Sequence, residues 1–306
     1  MTVAAAPDSN LLELLACPNC YADLAADRDN LRCTGCPSLY PVTDGIPILM
    51  PDTVDVAHLR EEESLALMMR TKGASPRMEF NRRQWALSKR EFWSVVRNTV
   101  PQTGKRFLYV GCGYDTSFRE FEGSGHVFVN FDLIFGMLRT LRTDFGAKSC
   151  VNGDVHRLPF RRGAFDYVAT IDLLHHESEQ LPEILTALSG LLKPNGVLFI
   201  EDVNATGLFQ LPKSMLPKPI YRALRSAYHE ARGSIHRPAD YEVPTNVWRV
   251  KSILRSLGFK SVRAHSHEAY PEVGSRAYGI YRALGRAEFV LRYFNYHYMV
   301  SAVKAA

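Results

Sequence analysis

The sequence predicts an α/β protein: a mostly parallel sheet covered by helices on both faces, led by a small N-terminal domain held together by metal. Three observations carry this. Strand-like and helix-like segments alternate from residue 106 onward, the pattern that builds parallel sheets. Residues suited to ligand contact stand at the ends of the strand-like runs, and such sheets bind ligands beyond the carboxyl ends of their strands. Four of the six cysteines crowd into residues 17–36.

Composition sets the bounds. The 306 residues suffice for one large and one small domain, and 46% hydrophobic with 23% charged residues describes an ordinary globular chain with a sizeable core. A net charge of +5 permits contact with nucleic acid or an anionic surface but demands neither, and serves equally well for solubility. The first ten residues have neither the basic start nor the apolar run of a secretory signal. No stretch approaches the ~18 apolar residues of a membrane span. A reducing, cytoplasmic setting is expected.

The N-terminal segment comes first. Cys17-Pro-Asn-Cys20 and Cys33-Thr-Gly-Cys36 are two C-x-x-C pairs separated by twelve residues. At that separation two knuckles can meet around one tetrahedral ion, and four thiolates select zinc and close its shell. Two local disulfides or chance spacing are the competing readings. Leu11-Leu12-Glu13-Leu14-Leu15-Ala16 leads into the first knuckle, and Tyr40-Pro41-Val42 and Gly45-Ile46-Pro47-Ile48-Leu49 follow the second. Prolines beside Ile46 and Ile48 hold that stretch extended. Residues 10–52 resemble the small zinc-ribbon activator family that partners tRNA, rRNA and release-factor methyltransferases. The resemblance implies that the short strand near Ile46 lies against a methyltransferase, here the rest of the same chain.

Residues 53–100 form a polar, largely helical linker. Trp85, Phe92 and Val96 recur at helical spacing, which fits either a lid over a ligand or a helix packed on the core, with the core reading the simpler.

The remaining residues, 101–306, alternate. Strands are expected at Phe107–Val110, Val127–Phe131, Ser149–Val151, Phe165–Ile171 and Val197–Val203, the last after a Pro194-Asn195-Gly196 turn. Helices are expected at 134–145, 179–192 and near Val247, and a final strand at Tyr296–Val303. Gly111-Cys112-Gly113 after the first strand allows a tight turn and close ligand approach, and Asp132 after the second is placed for ribose hydroxyls. Both features also suit nicotinamide or flavin enzymes. Asn152-Gly153-Asp154-Val155 after the third strand, Leu158-Pro159-Phe160, Gly163-Ala164-Phe165-Asp166, Leu173-Leu174-His175-His176 and Leu192-Lys193-Pro194-Asn195-Gly196 follow in order.

That ordered series, over residues 106–203 with Leu257-Gly258-Phe259 continuing it, resembles the class I S-adenosylmethionine methyltransferases. The resemblance implies a Rossmann-like sheet with an antiparallel final strand. It implies that Gly111, Cys112 and Gly113 hold the methionine part of S-adenosylmethionine, Asp132 the ribose, and Asp154 with Val155 the adenine, with Leu133 and Ile171 as further cofactor-binding residues. The sequence departs from the family at two points. Tyr109 stands where an acidic residue is usual and Asp115 where a third glycine is common, which puts the cofactor's amino-group contact in doubt.

Methyl transfer requires positioning and, for some acceptors, removal of a proton. His176, His175 and Asp172, leaving the fourth strand, are the candidates; helix capping or packing is the alternative for each. Insertions at about 204–245 and 266–294 are expected to cap the acceptor. The first carries Lys213, Lys218, Arg222, Arg225, Arg232 and Arg237, which could hold an acidic group or simply form a solvated face. A small-molecule acceptor is favoured over nucleic acid, since no Asn-Pro-Pro-Tyr-type motif follows the fourth strand and no long basic stripe is present. A non-catalytic cofactor-binding protein is the third reading.

Overall fold

The computed structural model describes residues 9–56, 89–100, 103–121, 125–207, 243–266, 292–295 and 297–306, with isolated positions 59, 60, 63, 123, 216, 217, 220 and 223. The greater part of the linker, Trp85 included, and most of both insertions lie outside the described residues.

Eleven strands form one sheet: β1 (Leu24–Asp27), β2 (Asn30–Cys33), β3 (Leu39–Thr43), β4 (Ile46–Leu49), β5 (Arg106–Val110), β6 (Val127–Asp132), β7 (Ser149–Gly153), β8 (Phe165–Ile171), β9 (Leu192–Val203), β10 (Phe259–His265) and β11 (His297–Lys304). Their order is β1-β2-β3-β4-β7-β6-β5-β8-β9-β11-β10. The run from β7 to β9 is parallel, and β11 enters antiparallel to β9. Strand order reverses at β5, between β6 and β8, and this is where such sheets open a crevice.

The expected strands all form, with two differences. β9 starts at Leu192, because Leu192 pairs with Phe165, and Lys193–Gly196 form the irregularity before Val197 pairs with Tyr167. β10, which the sequence reading treated only as a continuation, pairs with β11. Its four consecutive exposed or half-exposed residues hide the alternation of a strand.

The core lies on both faces of the sheet. On one face, helices Leu181–Leu191 and Val247–Ser256 pack with Leu108, Val168 and Leu198. On the other, helical residues 89–99 and helix Phe135–Phe145 cover Phe107, Tyr109 and Phe199. Phe92, Trp93 and Val96 are fully buried, so these residues form a core helix. Trp93 meets Phe107, Tyr109, Phe121 and Phe128 with ring centroids 5.2–5.9 Å apart.

The N-terminal segment joins this body through β4. Asp44 and Gly45 both have positive φ, as a two-residue hairpin turn between twisted strands requires. Beyond the turn β4 changes partner: Ile46 and Pro47 pair with β3, while Ile48 and Leu49 pair with β7. Pro47, which cannot donate to a ladder, falls before the change-over. A second attachment forms where Ala16 N–H donates to the Pro159 carbonyl and Arg161 N–H to that of Leu14, both at 2.9 Å. Leu11, Leu14 and Leu15 are thereby buried in the same core as Phe160 and Phe165. Among the described residues no helix is long and apolar enough to cross a membrane.

Candidate active site and metal centre

Four sulfurs converge in the N-terminal segment. Cys17 Sγ lies 3.7 Å from Cys36 Sγ, and Cys20 Sγ 3.4 Å from Cys33 Sγ. All four fall within 4.8 Å of one another, and none is in a disulfide. A tetrahedral ion with metal–sulfur bonds of about 2.3 Å would hold its sulfurs roughly 3.8 Å apart, so the spacing fits. Gly35 N–H points at Cys33 Sγ at 3.3 Å, and the Tyr40 hydroxyl lies 3.1 Å from Cys17 Sγ.

The residues expected to hold the cofactor stand in a row along the carboxyl ends of β5 to β8. Gly111 and Gly113 have φ of 70° and 52°. A Cβ on Gly111 would come within 3.3 Å of the Leu173 side chain, so the loop needs the bare backbone. Gly111 N–H and Cys112 N–H both donate to the Phe131 carbonyl, at 2.9 and 3.2 Å. Asp132, 7% exposed, accepts from Gly113 N–H at 2.8 Å on one oxygen and from Ile134 N–H at 2.9 Å on the other. Asn152 fixes the neighbouring backbone by donating to the Asp132 and Leu133 carbonyls at 3.0 and 2.8 Å. Asp154 caps the turn Val155–Arg157 through His156 N–H; Val155 and Ile171 are both buried. The Cys112 side chain is buried.

The two departures from the family pattern turn out to be linked. The Tyr109 hydroxyl donates to Asp115 Oδ2 at 2.9 Å, Trp93 Nε1 donates to the same oxygen at 3.3 Å, and Lys89 Nζ lies 3.5 Å from it. Ser117 gives its N–H and hydroxyl to Oδ1 at 2.9 and 2.5 Å. Burial pushes the Asp115 carboxyl up, but Lys89, Ser117 and Tyr109 outweigh it and hold the group below the usual carboxylate range. Burial, with Asp115 nearby, pushes the Tyr109 phenol well up.

At the exits of β8 and β9 lies a polar network. His175 Nδ1 is 2.7 Å from Asp202 Oδ1, and His175 N–H donates to Asp202 Oδ2 at 3.0 Å. A carboxylate only accepts, so Nδ1 carries the proton, and in that neutral tautomer Nε2 is the acceptor nitrogen. Asp202 is fully buried, His175 14% exposed at its side chain. Asp172 adopts φ 53°, in the left-handed region that Asp tolerates better than most residues, and its oxygen lies 3.4 Å from His297 Nε2. His297 Nδ1 is in turn 3.5 Å from Glu201. Burial and the Glu201 and Asp202 carboxylates raise the Asp172 carboxyl above its ordinary value, against the pull of His297 and His175. Ligand atoms of Asp172, His175 and Asp202 lie within 4.8 Å of one another, close enough to share a cation. The rings of His175 and His176 are 4.2 Å apart. His156 Nε2 sits 3.1 Å from Glu177, a contact that raises the imidazole's pKa.

The three expected catalytic residues are thus gathered at one strand end. Asp202, Glu201 and His297 join them although the sequence reading had not singled them out. The acidic pair closing the apolar run of β9 was a visible signal; nothing around His297 marks it.

A family model described as a methyltransferase domain matches residues 108–200. A biotin biosynthesis bifunctional protein, BioHC, of Saccharophagus degradans is 26% identical over 134 residues, 42% of this chain and 24% of that protein; the chain spans about a quarter of that relative's length. UPF0434 proteins match the N-terminus: one of Proteus mirabilis is 40% identical over 58 residues, 18% of this chain and 98% of the relative, and one of Coxiella burnetii is 44% identical over 48 residues, 15% of this chain and 86% of the relative. Two solved structures share the fold. A magnesium protoporphyrin IX methyltransferase of Synechocystis with bound S-adenosylhomocysteine has a TM-score of 0.51 at 15% identity, covering 82% of this chain and 100% of that one. A complex of the Haloferax volcanii Trm112 methyltransferase activator with a methyltransferase has a TM-score of 0.51 at 14% identity, covering 81% and 97%.

Proposed function

Since the chain is an S-adenosylmethionine-dependent methyltransferase whose N-terminal segment belongs to the family of the UPF0434 proteins, we propose that it methylates a small-molecule acceptor carrying an ionisable proton. The observation that carries this reading is the His175–Asp202 pair at the exits of β8 and β9, beside the row of cofactor residues. When bound, S-adenosylmethionine supplies an electrophilic methyl on a sulfonium. Asp202 would orient the imidazole and hold its Nδ1 proton, and His175 Nε2 would take the proton that the acceptor gives up on methylation. His176 packs on this pair and shapes its surroundings. Gly111–Gly113, Asp132, Leu133, Asp154, Val155 and Ile171 hold the cofactor. Cys17, Cys20, Cys33 and Cys36 hold one structural zinc ion, because four thiolates leave no open position for substrate.

A small acceptor is favoured over RNA by the absence of an Asn-Pro-Pro-Tyr-type motif after β8. The test is transfer of labelled methyl from S-adenosylmethionine into two fractions of a cell extract: small molecules, and RNA with or without RNase. Label is expected among the small molecules, and His175→Ala is expected to lower the single-turnover rate about 10²–10⁴-fold with cofactor affinity retained. Label that RNase removes would overturn the acceptor class. Turnover that stops on chelation while zinc stays bound would assign Asp172, His175 and Asp202 to a divalent cation instead.

A further inference from the structure

The Lys89–Asp115 pair stands beside the glycine loop with no part in methyl transfer as described so far. Asp115 N–H donates to the Cys112 carbonyl at 2.9 Å, so the aspartate is fixed to the loop carrying Gly111 and Gly113. A carboxylate has about four lone-pair sites. Here four hydrogen bonds fill them, two from Ser117 and one each from Tyr109 and Trp93, with the Lys89 ammonium 3.5 Å from Oδ2. Asp115 is therefore saturated and has no capacity left for a ligand ammonium. It does not stand in for the acidic residue that Tyr109 replaces.

Lys89 is the opposite case. Its ammonium has three donors, and among the described residues its ion-pair partner is Asp115, at 3.5 Å. Its side chain is 28% exposed while that of Asp115 is 5% exposed. Helical residues 89–99 are locked on the sheet by Phe92, Trp93 and Val96, which sets the lysine's position relative to the loop. A cation held 3.5 Å from a buried anion, with donors to spare, stands beside the loop that follows β5, where an α-amino acid moiety would rest.

We propose that Lys89 binds the α-carboxylate of the cofactor's methionyl part and that Asp115 is its positioning residue. Recognition at this end of the site has then moved from the ammonium to the carboxylate. The proposal rests on the methyltransferase reading above. It is tested by calorimetric titration of the full-length protein with S-adenosylhomocysteine, with its analogue lacking only the carboxylate, and with 5′-methylthioadenosine, which lacks the whole amino acid.

Lys89→Ala is expected to weaken S-adenosylhomocysteine roughly 10- to 100-fold, the range for a hydrogen bond to a charged group, and to leave both other ligands within about twofold. Lys89→Arg should restore most of the loss. Equal losses for all three ligands, or an unchanged affinity for S-adenosylhomocysteine, would overturn the assignment. Failure of the wild-type protein to bind any of the three would instead sink the methyltransferase reading, and the two failures are distinguishable in one experiment.

Discussion

Asp115 collects donors from three places in the chain: the helix at 89–99, β5, and its own turn. Asp115→Ala would leave the Trp93 N–H and the Tyr109 hydroxyl buried without their acceptor, at about 1–3 kcal/mol each. A loss of roughly 2–3 kcal/mol in urea unfolding is expected, partly relieved by relaxation. The pH dependence has a definite sign. The folded carboxyl lies below its usual value, so its contribution is present above the unfolded value near ~4 and is lost as pH falls through the lowered folded value. The wild type should therefore lose its advantage over the variant below pH ~4, and an advantage that grows on acidification would contradict the assignment. At this scale the sequence was half legible. Tyr109 and Asp115 stood out as departures, yet their mutual hydrogen bond could not be read, because a six-residue separation around a turn says nothing about side-chain direction. The carboxylate partner of His175 lies 27 residues away on β9, a pairing that no local pattern around the two adjacent histidines announces.

At the scale of elements, the junction of β4 with β7 is the sensitive point. A Cβ at Gly153 would stand 3.0 Å from the Leu49 carbonyl and 2.9 Å from the Phe131 ring. The carbonyl belongs to the paired backbone and cannot step aside without opening the ladder. Gly153→Ala is expected to loosen β4, seen as faster amide exchange at Ile48 and Leu49, and to weaken cofactor binding, since Asp154 and the Asn152 hydrogen bonds adjoin it. Unchanged exchange at those amides would show that the strand is held from elsewhere. The strands of the parallel sheet were legible because they are apolar runs bounded by turn residues. β10 was not, because its burial does not alternate. The docking of β4 was anticipated from the resemblance, and its partner, the edge strand β7, is one that no local pattern could name.

For the whole molecule, the four thiolates and the two attachments of the N-terminal segment form a single chain of support. Strands β1 to β4 are only four or five residues each, too little apolar surface to hold a fold without metal. Elemental analysis of the wild type is expected to find about one zinc per chain, and Cys33→Ser is expected to lose it and to lower Tm by on the order of 5 °C or more. A metal-free wild-type protein of undiminished Tm would remove zinc from this account. The change of partner within β4 has a further consequence. The edge of a sheet is ordinarily a surface that must find a partner by diffusion, and its occupancy then falls when the protein is dilute. Here the covering strand is part of the same polypeptide, so it meets β7 at an effective concentration in the millimolar range typical of short tethers, whatever the amount of protein present. Occupancy of the edge is written into the gene, and the supply of a second gene product cannot limit it.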